Sequence, residues 1–241
     1  MTIPQFQKTV RDFYAENKRD LPWRRTQDPY HIIVSEVMLQ QTQVDRVVPK
    51  YKEWLRRFPT IKDVARASTH EVLEAWQGLG YNRRALSIKK AAESIVARHD
   101  SKVPKSVFDL VKLPGIGSYT ASAVITFAYN RPLVFIETNI RTVFLHHFFE
   151  DRDDIDDREL LPRIEQALDD KSPREWYWAL MDYGAHLKKE HKNPSRRSKH
   201  HTVQSRFEGS DRQVRGKIIT LLIADKKATM AHIQKVLDIS A

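Results

Sequence analysis

Apolar residues recur three and four positions apart through most of the chain, the period of one helical face. Val34 to Phe58 (VSEVMLQQTQVDRVVPKYKEWLRRF) carries that spacing longest, and His70–Trp76 and Ala85–His99 repeat it. The same spacing predicts helices over Ser106–Leu113, Tyr119–Tyr129, Asn139–Phe149, Glu159–Leu168, Arg174–Leu187 and Arg212–Ala224. No run sustains the alternation of a strand, and no segment repeats. Of only seven glycines, four fall in two short turns, Gly78–Gly80 (GLG) and Gly115–Gly117 (GIG). The pattern predicts an all-α chain, with a linker near Asn193–Gly209 before a small basic helical unit.

Composition narrows the class. A chain of 241 residues suits one large domain or two small ones, and 41% hydrophobic with 30% charged residues excludes a disordered tail or a membrane protein. The longest apolar stretch, Ile218 to Ala224, is far short of the roughly 20 residues of a membrane span. The N-terminal residues lack an apolar signal core, which argues against export. The absence of cysteine excludes disulfides, thiolate nucleophiles and Cys-ligated zinc or iron–sulfur clusters. A net charge of +10 calls for a polyanionic partner, and nucleic acid leads that class. Residues 171–217 alone carry 12 Lys/Arg against 5 Asp/Glu. Their centre, Lys188 to His201, reads either as a solvated loop or as a set of phosphate contacts that includes Arg196 and Arg197. The acidic stretch Glu150–Asp157 is expected to face away from DNA, and Asp156 with Glu159 reads as a helix start.

Two segments suggest chemistry. In Leu113–Ala128 (LPGIGSYTASAVITFA), Gly115 and Gly117 permit positive φ and close backbone approach around Ile116. The helix that follows, near Ser118 and Tyr119, presents its amides to a phosphate oxygen. Glu36 lies between Ile32, Ile33, Val37 and Met38; on an inner face its neutral form is favoured, as a general acid requires. On a polar stripe it would only pair with a cation. Gln40, Gln41 and Gln43 beside it suit hydrogen bonding to base edges or wedging into a duplex.

Five strings occur in order: LPWRR (Leu21–Arg25), DPYHIIVSEVMLQQTQV (Asp28–Val44), GLGYNRRA (Gly78–Ala85), LPGIGSYTA (Leu113–Ala121) and ALMDYGA (Ala179–Ala185). Together they resemble the helix–hairpin–helix DNA glycosylase superfamily, most closely its adenine-DNA glycosylase branch. The resemblance implies two helical lobes with the active site and DNA cleft between them. It divides the chain into a six-helix lobe (26–137), a second lobe (1–25 with 138–205) and a C-terminal extension (206–241). It implies a base excision repair enzyme that flips a nucleotide and hydrolyses its N-glycosidic bond. Glu36 matches the catalytic acid, and Tyr119 the residue that supports the carboxylates where lyases place a Schiff-base lysine. Leu21, Trp23 and Arg24 match the base pocket. Gln41 and Tyr81 match side chains that wedge into the stack, with Gln40, Thr42, Leu79 and Gly80 beside them on the DNA.

The sequence departs from that pattern in three places. Glu137 replaces the electrostatic aspartate, with Asn139 retained. Trp178 replaces the polar residue that contacts the adenine edge. The cluster spacing can be traced only as Lys188, Ser195, Ser198 and Gln204, so no iron–sulfur cluster is expected, and the loop must be held by packing or salt bridges. His186, His191, His200 and His201 lack complementary carboxylates for zinc. The resemblance leaves open a monovalent cation at the hairpin turn. The chain also lacks room for the domain that reads oxidised guanine, which shifts opposite-base choice to Gln40, Gln41 and Tyr81. The expected protein is a monofunctional glycosylase removing adenine opposite guanine or 8-oxoguanine. It would be a cytoplasmic monomer, nucleoid-associated in a prokaryote, whose partner is mismatched or lesion-bearing duplex DNA. A thymine/uracil mismatch glycosylase and a non-catalytic damage binder are the alternatives.

Overall fold

The computed structural model describes residues 1–203, 206–225, 228–229 and 232–234. Among them the regular structure is helical: α1 (Ile3–Asn17), α2 (Pro29–Leu39), α3 (Val44–Arg57), α4 (Ile61–Arg66), α5 (Thr69–Trp76), α6 (Arg83–Arg98), α7 (Val107–Leu110), α8 (Ser118–Tyr129), α9 (Thr138–Phe148), α10 (Asp157–Ala167), α11 (Pro173–Glu190) and α12 (Asp211–Asp225). Short 3₁₀ turns cover Pro22–Arg24 and Pro194–Arg197. No strand forms among the described residues, and the one isolated bridge pairs Ile155 with Ser198. No helix among the described residues is long and apolar enough to cross a membrane.

Local chemistry explains the helix starts. Thr2 with Gln5, Thr60 with Asp63, Ser68 with Glu71 and Asp156 with Glu159 all form reciprocal capping boxes. Each such cap contributes about 1 kcal/mol. The long periodic stretch Val34–Phe58 is not one helix. It breaks after Leu39 and resumes at Val44, because the polar quartet Gln40–Gln43 offers no apolar face and Gln41 turns left-handed at φ 54°.

Contacts divide the chain into two compact units, residues 1–32, 105–111 and 116–202 forming the first and 33–104, 112–115 and 203–241 the second. This division differs from the boundaries expected at 26, 137 and 206. The helix after the glycine hairpin, α8, joins the first unit, where its small and apolar face meets α7 and α11. The first unit is built on aromatic packing: Phe6 lies 5.0 Å from both Phe144 and Phe148 and 6.1 Å edge-on from Trp176. The second is built around Trp54 and Trp76, fully buried and edge-to-face at 5.6 Å.

Candidate active site and nucleic-acid interface

In the second unit Glu36 sits in a run of seven buried residues, Ile32 to Met38, and is only 5% exposed. The helix is apolar on every side there, so the carboxyl lies inside the core rather than on a polar stripe. The turn that follows carries Gln40, Gln41 and Thr42, with Gln41 exposed. A second turn, at Gly78–Tyr81, takes positive φ at Gly78, Gly80 and Tyr81. For Tyr81 that conformation costs about 1–2 kcal/mol, strain of the kind found at functional sites.

One residue ties the two turns together. The Arg84 guanidinium donates to the carbonyls of Val37 (2.9 Å), Met38 (3.0 Å) and Gln40 (2.5 Å), to Thr42 Oγ1 (3.0 Å), and to the carbonyls of Leu79 and Gly80 (both 3.1 Å). It therefore satisfies the terminal carbonyls of α2 and fixes both candidate DNA-contacting turns from below. Burial pulls its pKa down to about 10, against which Tyr81 acts, and the group stays cationic at neutral pH. Arg212 of α12 donates to the Tyr81 hydroxyl at 2.5 Å and stands 5.4 Å from its ring centroid. The sequence reading singled out neither arginine.

At the hairpin Leu113 and Ile116 are buried. Gly115 has φ 78°, and a Cβ there would lie 2.4 Å from Ser87 Cβ, so this glycine is required twice over. Gly117 does not use its freedom: at φ −83° and ψ 174° it is the extended N-cap of α8, without a side-chain cap. Gly117 and Ser118 are exposed at that helix head, where main-chain amides and the helix dipole suit an anion.

In the first unit Glu137 is the N-cap of α9. Its Oε1 accepts from the amides of Asn139 (2.8 Å) and Ile140 (3.0 Å), and its Oε2 from Asn139 Nδ2 (3.2 Å). The extended segment leading to it is clamped onto α11. Phe135 stacks on Tyr177 at 3.9 Å, and the Tyr177 hydroxyl donates to Leu133 O at 2.8 Å. Tyr119 meets Phe135 edge-on at 5.8 Å. On the far side of Asn139, Lys188 Nζ donates to its Oδ1 at 2.8 Å. Burial lowers the Lys188 pKa, while the charge of Glu137 works to raise it. Gly184 is fully enclosed, and a Cβ on it would stand 2.2 Å from the Asn139 carbonyl oxygen.

The base-pocket candidates share this unit. Leu21 and Trp23 are buried. Arg24 is committed to Asp182 by two 2.7 Å bonds and lies 5.5 Å over the Trp178 ring. Burial opposes the charge on Asp182, but the hydrogen bonds and charge of Arg24 outweigh it and hold the carboxyl below its usual range. Arg24 thus locks LPWRR onto α11, and the Trp178 ring is held between the Arg24 guanidinium and Phe127, stacked on it at 6.0 Å.

The basic loop is ordered by internal bonds. Arg197 donates to Phe149 O (2.8 Å), Leu145 O (2.9 Å) and Glu150 O, which makes it a brace on the end of α9. Arg196 remains exposed. Ile155 pairs with the backbone of Arg197 and Lys199 at 3.0 Å, and Asp156 lies 3.7 Å from His200. The acidic stretch therefore packs against the basic loop. Of the four traced cluster positions, Lys188 is bound to Asn139, Ser195 to Asn193, and Ser198 accepts from His200; Gln204 lies outside the described residues. With no thiolate in the chain, these residues do not fit an iron–sulfur cluster. Among the described residues no group of three His, Asp or Glu is arranged to hold a metal ion.

A family model described as HhH-GPD superfamily base excision DNA repair protein matches residues 34–168, more than half of the 241. The chain belongs to this superfamily. It is 37% identical to the adenine DNA glycosylase of Mycobacterium tuberculosis (strain ATCC 25618 / H37Rv), over 88% of this chain and 76% of that one. Its identity to the adenine DNA glycosylase of Homo sapiens is 32%, over 76% of this chain but 36% of that protein. Among solved structures, a thermostable thymine-DNA glycosylase superposes with a TM-score of 0.69 at 25% identity, covering 76% of this chain and 86% of that one. A non-covalent endonuclease III–DNA complex shares the HhH-GPD fold at a TM-score of 0.64 and 18% identity, over 75% of this chain and 85% of that one.

Proposed function

We propose that this chain is a monofunctional adenine DNA glycosylase, hydrolysing the N-glycosidic bond of adenine mispaired with guanine or 8-oxoguanine in duplex DNA. The observation that carries the reading is Glu36, a carboxyl held inside an apolar helix and 5% exposed, within the part of the chain that matches the base excision repair superfamily. The 37% identity to an adenine DNA glycosylase supports adenine as the base.

Glu36 delivers a proton to the departing base, which would otherwise leave as an anion, and its carboxylate then assists water. Glu137 supplies negative charge to the oxocarbenium-like sugar. With Tyr119 where a lyase would need an amine, the reaction ends at an abasic site without strand cleavage. The exposed Gln41 and the strained Tyr81 serve as wedges that replace the flipped base, on turns that Arg84 holds rigid. Main-chain amides at Gly117 and Ser118 take a phosphate. The protein acts as a monomer on DNA.

Glu36→Gln tests the assignment. Glutamine is nearly isosteric but cannot donate that proton, so base release should fall by at least ~10²–10⁴-fold with duplex affinity within a few-fold. Base excision at the parent rate would refute the role of Glu36. One observation favours a second reading. Trp178 stands where a polar residue would contact the adenine edge, and a thymine-DNA glycosylase superposes well. Assaying duplexes with A, T or U opposite G, C or 8-oxoguanine separates the two.

A further inference from the structure

We propose that Lys188 is a positioning residue for glycosidic hydrolysis, acting through Asn139 on the Glu137 carboxylate. The inference rests on the reading of Glu137 as the charge that faces the sugar. An asparagine side chain has one end that accepts and one that donates, and its neighbours decide which way it points. Lysine can only donate. With Lys188 Nζ 2.8 Å from Oδ1, the amide must turn its Nδ2 the other way, where it donates to Glu137 Oε2 at 3.2 Å. The Asn139 amide N–H reaches Glu137 Oε1 at 2.8 Å, so both carboxylate oxygens are held from one residue. Removing the ammonium leaves the Asn139 side chain free to reverse and present oxygen to oxygen.

The helix geometry is built for this contact. Gly184 and Lys188 are four residues apart and share a face of α11. Gly184 admits the Asn139 backbone where any side chain would collide, and Lys188, one turn on, reaches the Asn139 side chain. The lysine is half-buried, and desolvation depresses its pKa, a cost that a surface cation in a basic loop would not bear. Its position near the C-terminal end of α11 favours the charge. By sequence Lys188 is one of six cations in the loop; in the structure it points inward.

The test is base release under single-turnover conditions with saturating enzyme, on a duplex carrying adenine opposite guanine, alongside duplex affinity and thermal stability. Lys188→Met keeps the aliphatic stem and removes the donor. The catalytic rate should fall about 10- to 100-fold, the range expected for a misplaced reacting group, while duplex affinity changes less than about three-fold, since this inward-facing ammonium is not a phosphate contact. Asn139→Ala should be comparably slow, and the double variant no slower than Asn139→Ala alone. Lys188→Arg retains a donor-only cation and should recover most of the rate. A folded Lys188→Met at the parent rate, effects that multiply in the double variant, or a folded Lys188→Arg that is no faster than Asn139→Ala would each overturn the proposal. Glu137→Gln is the control for the underlying reading: it should be slower still, and a parent-like rate there would remove the reading of Glu137 whatever Lys188 does.

Discussion

Gly184→Ala adds one methyl group at the place where α11 meets the head of α9. The new Cβ would stand 2.2 Å from the Asn139 carbonyl oxygen and 2.7 Å from its carbon, both backbone atoms held in a helix. A carbon–oxygen contact needs about 3.3 Å, so the two helices must part locally by roughly 1 Å. Overpacking of that kind costs about 1–3 kcal/mol. Replacing a helical glycine by alanine returns about 1 kcal/mol, leaving a net loss of up to about 2 kcal/mol. For a chain of this length that is a fall of a few degrees in Tm. The catalytic effect should be larger. Asn139 hydrogen-bonds both Glu137 oxygens, and under the proposed role of Glu137 a displacement of about 1 Å would lower the rate about 10²-fold. Gly216→Ala in α12 is the internal control, because nothing lies within 4 Å of the added carbon. It should gain stability from helix propensity alone and keep the parent rate. Thermal unfolding and single-turnover base release on the two variants give the comparison. A Gly184→Ala protein with the parent Tm and the parent rate would show that the close approach of α11 to Asn139 does not set the geometry of this end of the site.

Arg196→Ala should flatten the dependence of log affinity on log salt by about one unit with an unchanged Tm, because that side chain is exposed. Arg197→Ala should instead cost about 2–3 kcal/mol of stability, through three main-chain carbonyls left without their cationic donor, and leave the salt slope alone. The reverse pattern, from titrations at several salt concentrations, would return Arg197 to the DNA interface. Burial, then the neighbouring His146 and the N-terminal amine, push the His147 pKa down to about 4 from 6.5. The unfolded chain therefore takes up a proton before the folded one does, and stability drains away as pH falls from 6.5 toward 4. His147→Gln removes that titration, so the Tm gap between parent and variant should narrow over this window; a gap constant with pH would contradict it.

The fold class was legible because a helical period in hydrophobicity survives any tertiary arrangement. Its interruptions were less so. Val34–Phe58 keeps apolar spacing across Gln40–Gln43, and only the left-handed Gln41 shows that the chain turns there. Helix α1 buries just Phe6 and Val10, too few to stand out as a stripe, although its Thr2–Gln5 capping box was readable. Site residues divide along similar lines. Glu36 was visible because a carboxyl among isoleucine, valine and methionine is anomalous. Arg84, Asp182 and Lys188 were not, since a charge in a charged neighbourhood reads as surface. Their function depends on what their tips reach, 42 to 163 residues away in sequence, and no local pattern encodes that. Arg84 had one usable signal, its place in GLGYNRRA between two glycine-rich turns and a strongly apolar helix.

In the basic loop, charge counting does not tell which cations are engaged inside the fold and which face outward. Lys188 and Arg197 bracket the loop, and both bond to α9, one at each end. Lys188 stands beside the capping carboxylate Glu137 at the helix head. Arg197 covers carbonyls at the tail, where a cation complements the helix dipole. A helix of eleven residues is about 16 Å long, so the segment between these cations spans the whole of α9. The Ile155 bridge and the buried Pro194, Ser195 and Ser198 fix the segment's own shape without any metal ligand. At the Arg197 end the brace is made to main-chain carbonyls, and at the Lys188 end to the Asn139 side chain. Lys189, Lys192, Arg196 and Lys199 are the cations left exposed on the loop, and under the proposed function they are the candidates for phosphate contact. Lys199 is also 3.9 Å from Asp156, which weakens its claim relative to the other three. The loop thus bonds to both ends of α9 while offering three or four outward cations. Loosening the brace at Arg197 should therefore disturb Glu137 less than loosening it at Lys188, because α9 transmits little of a shift at its tail to the carboxylate capping its head.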